Sequence, residues 1–241
     1  MKTIGLIGGM SWESSLEYYR LLNQATREKL GGLRSAKSIL YSVDFAEIEQ
    51  LQHQGNWKQT GEILSFAAIA LEKAGADFII LCTNTMHKVA ETIEAAIAIP
   101  FLHIADATGM EIQKQGLKTV GLLGTKFTME EDFYKTRLIQ KYHLDILLPS
   151  PEERETIHRV IYEELCLGIL EEGSRSQYMQ IIRELRDRGA EGIILGCTEI
   201  GLLIQQQHSP IPRFDTTEIH ARTAVEYALN QSPVTSIGLK R

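Results

Sequence analysis

Two short stretches of the chain carry side chains able to move protons. "LCTNTMHK" at 81–88 holds Cys82, Thr83, Asn84, Thr85 and His87, and "LGCTEIG" at 195–201 holds Cys197, Thr198 and Glu199. A cysteine at the end of a buried strand, leading into a helix, has a reason to be reactive. The free N–H groups and positive dipole end of the helix favour thiolate over thiol. A thiol of pKa about 8.5 then needs only a modest downward shift to serve as a base near neutral pH. The polar residues that follow, Asn84 and Thr85 in one stretch, Thr198 and Glu199 in the other, can present backbone N–H groups to a substrate carboxylate. Glu199 and His87 are placed to tune or relay protons, and His87 shares a helical face with Thr83 four residues earlier.

Other candidates read differently. Cys82, as the last residue of an apolar run, reads as core, and Cys166 inside "VIYEELCLGIL" reads as packing on a helix. "GLIGGMSWESS" has neither the GxGxxG order of a dinucleotide loop nor the GK[ST] of a phosphate loop. It can still bring backbone close to a small ligand, with a helix capped near Ser11. Asp215 and His220 in "FDTTEIHA" fit a supporting part behind the site, and Asp215 or Thr216 fits a helix cap equally well.

These residues must be held by a framework, and its pattern is visible. Short apolar runs at 3–8, 38–43, 78–82, 101–104, 119–124, 145–148, 192–196 and 213–214 read as buried strands. Longer amphipathic stretches lie between them. In 62–74, Ile63, Leu64, Phe66, Ala67, Ala70, Leu71 and Ala74 recur at helical spacing, and 130–142 and 176–189 behave alike, the last closed by Gly189. Strand–helix alternation of this kind specifies an α/β fold with parallel sheet.

The chain also repeats itself. "KTIGLIGG" at 2–9 returns as "KTVGLLGT" at 118–125, an offset of 116 that also carries Tyr18 onto Tyr134. "GADFIIL" at 75–81 returns as "GAEGIIL" at 189–195, an offset of 114, and "IP" at 99–100 returns at 211–212, an offset of 112. The expected architecture is therefore two pseudo-symmetric α/β halves, each a parallel sheet with flanking helices. The first half covers 1–105, with a C-terminal helix at 216–230 packing back on it, and the second covers 106–215. Ligands of open α/β sheets sit beyond the carboxyl ends of the strands, so the expected site is a cleft between the halves. At the offset of 114, Leu81 corresponds to Leu195, Cys82 to Gly196 and Thr83 to Cys197. The counterpart of Cys197 is thus Thr83, and Cys82 points the other way.

Composition narrows the function classes. The 241 residues are 44% hydrophobic, enough for one large domain or two small ones. A net charge of −6 with scattered Lys and Arg argues against nucleic acid as a partner. No apolar run approaches the roughly 20 residues of a membrane span, and the N-terminal stretch lacks the apolar region of a signal peptide. Three cysteines without a CxxC fit a reducing cytoplasm, and no His/Cys cluster has zinc-ligand spacing.

Taken together, "GLIGGMSWES", "CTNTMHK", "LLGT", "GCTEIGLL" and "FDTTEIHA" resemble the aspartate/glutamate racemase family over residues 1 to about 230. The resemblance implies two flavodoxin-like halves and racemisation of an amino acid without pyridoxal phosphate, metal or other cofactor. Two facing groups, usually both cysteines, act on opposite faces of Cα. Carried over, Cys197 takes the second-half position. Thr83-Asn84-Thr85 occupies the place of the usual Cys-Asn-Thr, as in the branch with threonine at this point. Met10, Gln52, Asn84, Thr85, Thr125 and Thr198 would line the substrate. Strict aspartate racemases place an arginine after the second strand and a lysine before a glycine near 160–168. Here those places read "VDFAEIEQLQ" and "ELCLG", with Cys166 at about the lysine position. Acidic amino acids are the first expectation, and a broad-specificity racemase stands beside them. The resemblance further implies a soluble homodimer acting on a small molecule.

Two other classes remain open at this point. A decarboxylase or isomerase of the same superfamily would need only Cys197, and a non-catalytic amino-acid binding protein could share the two-lobed build.

Overall fold

The computed structural model describes residues 1–230. Contacts divide the chain into two units, one comprising Met1–Ile104 and the segment from His220 onward, the other Ala105–Ile219.

The first unit is built from β1 (Ile4–Gly8), α1 (Trp12–Leu30), β2 (Ser38–Ser42), α2 (Phe45–His53), α3 (Trp57–Lys73), β3 (Phe78–Leu81), α4 (Ala90–Ala96) and β4 (Phe101–Leu102). A 3₁₀ turn, Thr85–Val89, joins β3 to α4. The chain leaves this unit through α5 (Ile104–Lys114). The second unit follows with β5 (Thr119–Gly124), α6 (Lys126–Glu130), α7 (Asp132–Tyr142), β6 (Asp145–Leu147), α8 (Pro151–Glu163), α9 (Glu172–Asp187), β7 (Gly192–Gly196), α10 (Ile200–Leu203) and β8 (Arg213–Asp215). The last helix, α11 (Thr216–Leu229), begins in the second unit and continues in the first.

Each unit holds one four-stranded, wholly parallel sheet, of order β2-β1-β3-β4 in the first and β6-β5-β7-β8 in the second. The central strands β1, β3, β5 and β7 are buried almost throughout and so read as continuous apolar runs, while the outer strands β2, β6 and β8 are only partly covered. In the first unit Ile4, Leu6, Phe78 and Ile80 pack with α1 and α11, while Ile7, Ile79 and Leu81 pack with α3.

The internal repeat is a repeat of register. Ile4 lies opposite Phe78 in the first sheet, and Val120 opposite Gly192 in the second, consistent with the offsets of 116 and 114. The Ile-Pro echo marks a join that both units share: Ile79 N donates to Pro100 O at 2.8 Å, and Ile193 N donates to Pro212 O at 2.8 Å. Asp77 accepts a hydrogen bond from Thr3 N, and its counterpart Glu191 accepts from Lys118 N and Thr119 N, so a carboxylate ties down the start of the central strand pair in each unit.

Two helical details depart from expectation. In α3 the buried stripe is Thr60, Gly61, Leu64, Ser65, Ala67, Ala68 and Leu71, and Phe66 is 64% exposed, its ring edge-on to Tyr41. Cys166 does not sit in a helix core. It lies part-buried on a 3₁₀ turn, Leu165–Leu167, after α8 has ended. Gly189 follows the C-cap of α9 with φ of 103°, a conformation that a side chain would strain. Among the described residues no helix is long and apolar enough to cross a membrane.

Candidate active site

In the first unit the carboxyl end of β1 runs into the loop Gly8–Ser11 and then α1. Gly9 has φ of 95°, and a Cβ there would meet the backbone of Val43, 2.7 Å from its nitrogen, so the loop lies directly on the end of β2. Two serines of the following helix secure it. Ser15 Oγ accepts from Gly9 N at 2.7 Å, and Ser11 Oγ caps α1 by accepting from Ser14 N at 3.3 Å. Met10 is buried in the cluster that also holds Met86.

β3 ends beside this loop. Cys82 N still donates to Ile7 O, and Cys82 packs into the cluster formed with α1 and α11. Burial holds its thiol far above the usual range. Ser14 Oγ donates to Cys82 O at 2.7 Å. This contact was not anticipated, and nothing in the local pattern of "WESS" distinguishes Ser14 from its neighbours. Thr83 is the next residue, buried with Asn84, Thr85 and His87. His87 does not put a ring nitrogen on the Thr83 hydroxyl. Ile104 N donates to its Nε2 at 3.2 Å, which places the ring proton on Nδ1, and Nδ1 donates to Thr83 O at 2.7 Å. The imidazole thus ties the backbone at Thr83 to the end of β4. Gln52, buried on α2, donates to Met86 Sδ at 3.6 Å.

Behind β4 lies a second buried histidine. His220 Nε2 donates to Leu102 O and Nδ1 accepts from Tyr18 Oη, both at 2.8 Å. Burial lowers its pKa to about 4, so the ring is neutral. The ring of His103 lies 4.4 Å from that of His87.

In the second unit β5 is followed by Thr125, whose hydroxyl caps α6 by accepting from Thr128 N at 3.3 Å. β7 ends at Gly196, paired with Gly124, and Cys197 follows. Thr83 lies five residues after Phe78, the partner of Ile4, and Cys197 five residues after Gly192, the partner of Val120, so the two hold equivalent positions in their sheets. Cys197 Sγ donates to Glu199 Oε2 at 3.0 Å, and Thr198 Oγ1 donates to the same oxygen at 2.5 Å. Both Cys197 and Glu199 are buried. Burial first, and the negative charge of Glu199 second, hold the thiol well above the ordinary cysteine range. This reverses the expected downward shift. The helix after Cys197 is only the four-residue α10, too short to supply the dipole on which that expectation rested.

The segment "FDTTEIHA" supports this tip from below. Thr216 Oγ1 donates to Leu195 O at 2.8 Å. Asp215 Oδ1 accepts from Thr217 N and Glu218 N, capping α11, and Oδ2 pairs with Arg213. Gly201 of α10 lies flat on the Asp215 carboxylate, where a Cβ would collide with it. Thr216 and Asp215 thus hold the strand and the short helix on either side of Cys197. Cys166 contributes a further raising influence on the Cys197 thiol.

The arrangement offers two buried proton-carrying groups at matching strand tips, one of them a thiol with an adjacent carboxylate able to take its proton. The chain is 56% identical to a Yersinia pestis protein assigned as a candidate Asp/Glu racemase, over 95% of this chain and 100% of that one, with a TM-score of 0.89. It is 39% identical to an aspartate racemase homologue from Pyrococcus horikoshii over the same shares, with a TM-score of 0.84. The broad specificity amino-acid racemase of Bacillus subtilis is 28% identical over 165 residues, 66% of this chain and 67% of that one. Residues 7–224 match the family described as Asp/Glu/Hydantoin racemase, and that span takes in both strand tips: the chain belongs to the Asp/Glu/hydantoin racemase family.

Proposed function

We propose that this protein racemises an amino acid by moving the α-proton between Cys197 and Thr83, without pyridoxal phosphate or metal. The observation that carries the reading is the equivalence of the two tips: Cys197 and Thr83 occupy the same place in two sheets of the same register.

In the L-to-D direction Cys197 passes its proton to Glu199, the acceptor 3.0 Å away, and the thiolate removes the α-proton. Asn84, Thr85 and Thr198, at the strand tips, take the substrate carboxylate and ammonium, with Met10, Gln52 and Thr125 completing the lining. The resulting carbanion is protonated on its other face by the Thr83 hydroxyl, whose alkoxide recovers a proton from water while Glu199 releases the proton it took, so that both groups return to their starting states. A hydroxyl is a far weaker acid than a thiol, so the two partners are unequal. His87 acts as a positioning residue, fixing the Thr83 backbone. The equilibrium constant between free enantiomers is one, so kcat/KM is equal in both directions and the inequality shows only in isotope exchange and in kcat and KM separately.

Aspartate and glutamate are the first substrates of this reading. A broader range is the second, favoured by Cys166 standing where a strict aspartate racemase carries a lysine and by the broad specificity of the B. subtilis relative. A cytoplasmic homodimer completes the proposal.

The test is incubation of each enantiomer in deuterium oxide, following α-hydrogen loss by NMR and inversion by chiral chromatography. L-substrate exchanges faster than it inverts, and D-substrate shows little exchange without inversion. Equal exchange-to-inversion ratios from both enantiomers overturn the unequal pair. Absence of both exchange and inversion across the common amino acids overturns racemisation itself.

A further inference from the structure

We infer that Ser14 is a positioning residue for the Thr83 step, and that Ser14 and Ser15 together replace one bond of the first unit's sheet so that the tip carrying Thr83 is both opened and held. The inference rests on the racemisation proposed above.

The two sheets differ at their carboxyl ends. In the second unit the β5–β7 ladder runs to Gly124 opposite Gly196. In the first unit the β1–β3 ladder stops at Ile7 opposite Leu81, one rung short of the equivalent pair, Gly8 and Cys82. Half of that rung is made, because Cys82 N donates to Ile7 O at 2.9 Å. The other half would run from Gly9 N to Cys82 O, the next bond of a parallel ladder. Each of these groups has gone to a serine of α1 instead. Gly9 N donates to Ser15 Oγ, and Ser14 Oγ donates to Cys82 O, both at 2.7 Å. Ser15 passes its own hydroxyl proton to Ser11 O at 3.2 Å. Gly8 makes room for this, since a Cβ there would stand 2.5 Å from Ser15 Oγ. Gly9, Ser14, Ser15 and Cys82 are all buried, where an unmade hydrogen bond is costly. The exchange of partners satisfies both backbone groups while the loop turns onto β2, where Gly9 lies against Val43.

The fold does not demand the serine pair. The repeat supplies an internal control, because the offset of 116 carries Ser14 and Ser15 onto Glu130 and Glu131, neither of which is buried. There Thr128 lies against Gly124 and Gly196, and the rung is intact. A unit of this architecture therefore closes without the two hydroxyls, and their presence in the first unit serves something other than folding.

That something is the placement of Thr83. Thr83 N donates to Leu81 O at 2.9 Å across a three-residue turn, and His87 Nδ1 donates to Thr83 O at 2.7 Å. Ser14 holds the carbonyl between them, so each backbone polar group from Cys82 N to Thr83 O has a partner. Threonine is β-branched and has few χ1 rotamers open to it, so fixing its backbone fixes its hydroxyl. Proton delivery to a carbanion is sensitive to that placement, and an error of about 1 Å can cost about 10²-fold. A hydroxyl, the weaker acid of the pair, has the least margin for such an error.

Ser14→Ala tests this beside Ser65→Ala, which removes another serine-to-carbonyl bond of the same unit, Ser65 Oγ to Thr92 O at 3.3 Å. Circular dichroism confirms folding, and Ser14→Cys in reducing buffer, which keeps the volume but donates weakly, carries the same comparisons if Ser14→Ala does not fold. Amide hydrogen exchange read by mass spectrometry is expected to be about 5-fold faster over 81–88 in Ser14→Ala, the weight of one ordinary hydrogen bond, and unchanged over 195–201. In deuterium oxide, inversion of L-aspartate and L-glutamate is expected to fall about 10-fold or more, while α-hydrogen exchange from the Cys197 face stays within about 2-fold of the wild type. The exchange-to-inversion ratio therefore rises in Ser14→Ala and keeps its wild-type value in Ser65→Ala. A folded Ser14→Ala with the wild-type ratio, or with exchange and inversion lowered together, overturns the inference while racemisation stands. A wild type that neither exchanges nor inverts overturns the reaction and this role with it, whatever the amides over 81–88 do.

Discussion

The neutral, buried His220 makes a quantitative demand on stability. Its two nitrogens are used by the Tyr18 hydroxyl and the Leu102 carbonyl, and the ring of His87 lies 6.1 Å away. The folded pKa is about 4 against an unfolded value of 6.5. A lowered pKa means that the unfolded chain binds the proton first, so stability is intact above pH 6.5 and is lost as pH falls towards 4. The full difference corresponds to about 3 kcal/mol. Between pH 7.5 and 5.0 the same linkage gives a loss of about 2 kcal/mol from this residue alone. His220→Gln keeps an amide able to donate to Leu102 and accept from Tyr18 but removes the titration. Urea unfolding of both proteins at pH 7.5 and 5.0 isolates the contribution, because every other histidine is common to the pair. The wild type is expected to lose about 2 kcal/mol more than the variant over this interval. Parallel losses in the two proteins would refute the neutral, proton-excluding site.

Three further outcomes follow from the site. Cys82→Ala is expected to lose about 1–2 kcal/mol of stability and to retain most activity in a chiral assay, because the thiol is core and not a strand-tip group. Glu199→Gln removes the neighbouring negative charge, so the pH at which Cys197 is alkylated by iodoacetamide is expected to fall, while loss of the proton acceptor lowers racemisation by about 10²–10⁴-fold; an unchanged alkylation profile would show that burial alone raises the thiol. Gly9→Ala must move the β1–α1 loop off Val43 or strain a φ of 95°, and differential scanning calorimetry is expected to show a lower melting temperature.

Much of this protein was legible in its sequence. Parallel strands are buried on both faces, so Ile4–Gly8, Thr119–Gly124 and Gly192–Gly196 appear as apolar runs that need no partner to be recognised. The repeat carried register as well as fold, and register alone pairs Cys197 with Thr83 and sets Cys82 aside in the core. What lay beyond the sequence was the direction and surroundings of single side chains. Glu199 turns back onto Cys197 and α10 stops after four residues, so the thiol is held up where local reasoning from a helix dipole expected it to be lowered. His87 has the right spacing to face Thr83, yet its ring is claimed by the backbone of Ile104, seventeen residues away. Phe66 fits the helical period of α3 but falls on its outer flank, because the sheet lies under Leu64, Ala67 and Leu71. Periodicity is a property of neighbours along the chain and survives in the sequence. Acidity, hydrogen-bond partners and exposure are set by groups brought close only when strands and helices pack, and those the tertiary structure alone decides.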